Sequence, residues 1–147
     1  MDGIEGLKLT PLRIIESPLG DVYHALKNHE DSFSQFGEAY FSTVVKDQVK
    51  GWKKHTKMVL NVVVPVGEIQ FVVYDDRPNS TTSGQFVEIK LSKANYQRLT
   101  VPTGVWMAFK GIGPDQNMLL NIASIPHDPE EAINLDLEND VIPYVWK

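Results

Sequence analysis

No cysteine occurs in the 147 residues, which excludes a disulfide framework, a thiolate nucleophile and a Cys-ligated zinc. The absence fits a reducing compartment, and the cytoplasm is the expected location. Helical periodicity is scarce. Long apolar runs are missing as well: the longest, Met58 to Val66, is interrupted by Asn61 and Pro65 and is too short to span a membrane. Met1 to Thr10 has neither the basic start nor the apolar run of a signal peptide, so a soluble protein with no membrane partner is expected. Basic charge is in deficit, with 14 Lys and Arg against 19 Asp and Glu and a formal net charge of −5. Phosphate backbones are bound by clustered cations, so nucleic acid is not an expected partner. A local basic site for a small anion remains compatible with this balance.

What the chain does have is a 42% apolar fraction, enough for one sizeable core and a single domain over 1–147. Short runs of Val, Ile, Phe and Tyr recur between turn residues about every ten positions, the pattern of an all-β sandwich or barrel. Strands are expected at Lys8 to Ile14, Asp21 to Ala25, Gly37 to Val44, Lys50 to Trp52, Met58 to Val64, Gly67 to Tyr74, Gln85 to Leu91, Arg98 to Val101, Trp106 to Gly111 and Asn117 to Ile122. The turn-rich stretch from Asp75 to Gly84 joins two of them. Pro129 at a first helical position, with acids in the first turn, predicts a short C-terminal helix over Asp128 to Ile133.

Several motifs follow one another in a definite order. They are Phe36-Gly37-Glu38-Ala39-Tyr40-Phe41-Ser42, Val49-Lys50-Gly51-Trp52, Gly67-Glu68-Ile69 leading to Asp75-Asp76-Arg77, Ser80 to Gly84, Val101-Pro102-Thr103-Gly104-Val105-Trp106, and Ile142-Pro143-Tyr144-Val145-Trp146. No single one is specific, but their order and spacing from about Asp21 onward resemble the dTDP-4-dehydrorhamnose 3,5-epimerase family. The resemblance implies a cupin-type jelly roll (a double-stranded β-helix), often a homodimer, with a nucleotide-linked 4-keto sugar held in the barrel mouth and no cofactor. It further implies a role in surface-polysaccharide synthesis. The family inverts carbons next to a keto group, and each inversion takes a base, an acid on the opposite face and a group that stabilises the enolate; for this chain an altered or single-site epimerisation by proton exchange is expected.

Position by position, the chain departs from the family where that chemistry is concentrated. The family's Arg-Gly-x-His becomes Lys50-Gly51-Trp52-Lys53, so the base position holds Lys53. Its second histidine falls at Met107, and its tyrosine-bearing segment aligns with Ser124-Ile125-Pro126, which has no phenol. His55, two residues beyond Lys53, shares its strand face if the strand continues, and histidine suits acid–base work near neutrality. Lys53 and His55 are therefore the candidate catalytic pair, against the plainer readings of a solvated lysine and a loop histidine. Asp140, in an Asn139-Asp140 pair resembling one that orients the family's base, is a candidate to hold Lys53 charged.

Candidate substrate-binding residues are Lys50 and Arg77 as anion partners, with Asp75 matching a pocket-lining family aspartate. Asn61 and Asn121 are candidate partners for sugar hydroxyls, and Tyr40 and Trp106 for an aromatic wall. Arg77 has a competing role, pairing with Asp75 or Asp76. Too few nitrogen and oxygen ligands remain for the cupin metal site, so no metal is expected. The competing function is a catalytically silent relative that binds a sugar nucleotide or a partner enzyme, favoured by the joint replacements at Lys53, Met107 and Ser124-Ile125-Pro126.

Overall fold

The structure, a computed structural model, describes residues 3–147. Met1 and Asp2, at the head of the segment read for a signal peptide, lie outside the described residues. Twelve strands form in the order β1 Lys8–Pro11, β2 Ile14–Ile15, β3 Val22–Tyr23, β4 Glu38–Thr43, β5 Val49–His55, β6 Leu60–Val66, β7 Glu68–Tyr74, β8 Phe86–Ser92, β9 Gln97–Val101, β10 Trp106–Gly111, β11 Met118–Ala123 and β12 Ala132–Asn134. Two five-stranded antiparallel sheets run β1-β9-β6-β11-β4 and β12-β5-β10-β7-β8, with β2 and β3 as a separate pair. Consecutive long strands such as β6 and β7 sit in opposite sheets, the jelly-roll arrangement expected from the strand spacing.

The sheets bury one shared core between them. Leu60, Val62 and Val64 of β6 alternate inward and meet Ile69, Phe71 and Val73 of β7 and Val87, Ile89 and Leu91 of β8, as period-2 geometry requires. A second apolar layer covers the outer face of the β5-containing sheet. Trp52, Val72, Trp106 and Ala108 pack there beneath Ile142, Tyr144 and Trp146. Those three tail residues are spaced two apart, so one face of an extended tail is apolar and serves as a lid for the sheet.

Two departures from the sequence expectations matter for the site. No helix forms among the described residues; Asp128 to Ile133 makes a turn and then β12. Here tertiary pairing outweighs local propensity: Ala132, Ile133 and Asn134 pair with His55, Lys54 and Lys53, and Glu131 turns inward to buried partners instead of facing water on a first helical turn. The strand expected over Lys8 to Ile14 is likewise broken, with β1 paired to β9 and β2 to β3.

Candidate active site

β5 carries the decisive local feature. Its register against β10 shifts: Lys53 lies opposite Met107, but Lys50 lies opposite Phe109. Three steps on β5 therefore match two on β10, which is a β-bulge. Residues three apart on a regular strand face opposite sides. The bulge cancels that rule and turns Lys50, Lys53 and His55 toward the same side. Gly51 is required at the bulge, because its φ is +145° and a Cβ there would lie 2.3 Å from the Ala108 Cβ.

On that inner side the two sheets leave a cavity of about 90 Å³. Lys53 and His55 reach it from β5, Met107 and Phe109 from β10, and Tyr40, Ser42 and Asn121 from the facing sheet. Its floor is apolar, built from Met58, Leu60, Val62 and Leu119 among others. Tyr40 and Lys53 are exposed at its mouth, and Lys50 donates to Ser42 Oγ at 3.3 Å on the rim. The Lys53 ammonium has no ion pair or hydrogen bond among the described residues.

His55 is held from three directions. Its Nδ1 bonds the Glu131 carboxylate, its carbonyl accepts from the Gly104 amide at 2.8 Å, and its strand is paired on both edges. Only 15% of its side chain is exposed, and 1% of that of Glu131. Glu131 also accepts from the amides of Lys57 at 3.0 Å and Met58 at 3.2 Å. Burial alone pushes the Glu131 carboxyl up, but the His55 hydrogen bond and the two amides outweigh it and hold the group below the usual carboxylate range. An ionised Glu131 keeps the proton on Nδ1 and leaves the Nε2 lone pair toward the cavity, the tautomer a base needs.

On the opposite sheet Asn121 pairs directly with Tyr40. Asn121 Nδ2 donates to the phenol oxygen at 3.1 Å, while Asn121 Oδ1, buried, has no partner among the described residues.

With this geometry in view, relatives are informative. The family model for dTDP-4-dehydrorhamnose 3,5-epimerase matches residues 21–147. The chain belongs to this family. The crystal structure of a dTDP sugar isomerase from Desulfovibrio desulfuricans G20 superposes with a TM-score of 0.94 at 39% identity, covering 97% of this chain and 92% of that one. A protein of Haloferax volcanii named "Probable low-salt glycan biosynthesis epimerase Agl13" is 26% identical over 146 residues, 98% of this chain and 90% of its own length. The spore coat polysaccharide biosynthesis protein SpsL of Bacillus subtilis is 23% identical over 145 residues, 97% of this chain and 96% of its own.

Within the epimerase family's pattern, the remaining candidates divide cleanly. Trp106 lies on the outer face, donating to Asp76 at 2.9 Å beneath the Lys54 ammonium; adjacent to cavity-lining Met107, it points the other way. Asn61 is buried but spent on Ser32 and Thr100. Asp75, fully buried, collects Arg77, Ser80 and Thr82. Burial pushes its carboxyl up, but those donors, Arg77 foremost, hold it far below the usual range. Arg77 is thereby committed to Asp75 and to the Glu5 carbonyl. Asp140 sits on a surface turn among Leu137 to Trp146 and has no ion pair with Lys53. The acidic partner of His55 is Glu131, whose place two residues after Pro129 resembles a helix start. Of the three residues that follow it in β12, only Ile133 is β-branched, so the local sequence gives little sign of a strand.

Proposed function

We propose that this protein is a sugar-nucleotide epimerase of surface-polysaccharide synthesis, in which His55 oriented by Glu131 is the base and Lys53 the enolate stabiliser. The observation that carries the reading is the buried His55–Glu131 pair facing an open cavity. Two residues past the family's base position, it supplies the imidazole and carboxylate that Lys53 alone lacks.

The chemistry follows from the geometry. His55 Nε2 takes the proton from the carbon beside the 4-keto group, and the electron pair moves onto the keto oxygen. Lys53, on the same strand face and unpaired, offers an ammonium to that developing oxyanion, where a preorganised donor is worth about 10²–10³ in rate. Lys50 at the rim suits a diphosphate, and the apolar floor suits the deoxy end of the sugar.

The test is solvent-deuterium incorporation into dTDP-, GDP- and CDP-linked 4-keto-6-deoxy sugars. Incorporation with loss of the signal in His55→Gln supports the reading. Binding of a sugar nucleotide, seen as thermal stabilisation, without incorporation selects instead a silent binding relative, which the lysine at the family's base position favours.

A further inference from the structure

Inversion needs a second proton carrier on the opposite face of the sugar. Resting on the base assignment above, we infer that this carrier is Tyr40 of β4, positioned by Asn121 of β11. It occupies a different strand from the segment where the family carries its tyrosine, which here is Ser124-Ile125-Pro126.

Elimination leaves one phenol. Of the five tyrosines, Tyr74 and Tyr144 pack on the outer face with Trp52, and Tyr23 and Tyr96 meet edge to face 5.3 Å apart. Tyr40 alone lines the cavity. Ser124 is not available, because it is buried and does not line the cavity. Lys53 lies on the same sheet as His55, so both approach a bound sugar from one side. Tyr40 approaches from the other, as inversion demands.

Asn121 fixes how the phenol is used. Because its Nδ2 donates to the phenol oxygen, the phenol proton is not spent on Asn121 and remains free to be given to carbon. Asn121 is only 2% exposed, and its Oδ1 has no partner among the described residues. A buried carbonyl oxygen left open is costly, and a sugar hydroxyl is the donor that completes it. One amide thus orients the acid and registers the ring.

Protons balance over the cycle. His55 Nε2 gains the proton from one face, Tyr40 gives its own to the same carbon from the other, and each is restored by exchange with water at the open mouth. Tyr40, 43% exposed, is accessible for this.

The experiment follows inversion and exchange separately in D₂O, using the dTDP-, GDP- and CDP-linked 4-keto-6-deoxy sugars. In Tyr40→Phe, inversion falls by about 10²–10⁴, while deuterium still enters recovered starting material with retained configuration, because His55 returns it to the face it came from. Asn121→Leu raises the same exchange-to-inversion ratio and also raises KM; a purely structural role would lower both rates together. Phe41→Ser, on the opposite strand face, controls for disturbance of β4, and melting curves confirm folding. Near-normal inversion in Tyr40→Phe, or an unchanged ratio in Asn121→Leu, overturns the respective assignment. Wild-type exchange without inversion overturns the acid assignment and leaves the base reading standing. No wild-type exchange on any sugar overturns both.

Discussion

The Asp75 loop and the barrel cavity are both rich in polar side chains, and both were read from the sequence as substrate contacts, yet they differ in how those groups are satisfied. Around Asp75 the buried carboxylate is saturated: both of its oxygens are used, Arg77 is shared with the Glu5 carbonyl, and Ser80 and Thr82 close the ring. Around the cavity the same kinds of groups are left open, namely His55 Nε2, the Lys53 ammonium and Asn121 Oδ1. A saturated buried carboxylate stabilises its loop and has no lone pair left for a ligand. An open polar group costs stability unless a ligand completes it, so it is the better sign of a site.

The sharpest break of that contrast is His55→Gln. Its amide can still donate to Glu131, so the melting temperature should stay near wild type while deuterium exchange falls by about 10²–10⁴, the range of general-base catalysis. Next, Lys53→Met should lower kcat by about 10²–10³, with nucleotide-sugar affinity measured by titration calorimetry little changed.

On the saturated side the pattern reverses. Asp75→Asn should cost about 2 kcal/mol in urea unfolding at pH 7, since it weakens several hydrogen bonds to a buried acceptor, partly moderated by water at the half-open Arg77. Turnover per folded molecule should hold. Because the Asp75 carboxyl is depressed in the fold, its stabilisation is complete above the unfolded carboxylate range near pH 4. It is lost as pH falls through the lower folded value. The gap between wild type and Asp75→Asn should therefore close as the pH falls below about 4; a gap that widens there would reverse the sign. Smallest of all, Lys50→Ala should weaken sugar-nucleotide binding by less than about 1 kcal/mol, as expected of an exposed charge, and the loss should shrink with added salt.

Much of the fold was legible because strand alternation is local. β4, β6, β7, β8, β10 and β11 fall within a residue or two of their expected places, and the even spacing of Lys53 and His55 foretold a common face. The same alternation puts Trp106 outside the cavity that Met107 lines, so Trp106 is no aromatic wall for a ligand there. What escaped was non-local. Glu131 meets His55 across 76 residues, and its neighbours look like a helix start until β5 is present to pair with them. The β-bulge was hidden for a related reason: Gly51 signals one, but only Ala108 on the adjoining strand shows why a glycine must be there. Asp140 stands in a family-like dipeptide, and dipeptides carry no information about which turn folds inward.

The 76-residue separation of His55 and Glu131 also has a consequence in time. Chains emerge from the ribosome at roughly 5–20 residues per second, so the imidazole is made roughly 4–15 s before the carboxylate that sets its tautomer. In that interval β5 has no β12 on its edge. The strand that bears the proposed base is therefore finished by a late-arriving neighbour, and a partly synthesised chain that already contains Lys53, His55 and Tyr40 still lacks the carboxylate that orients His55.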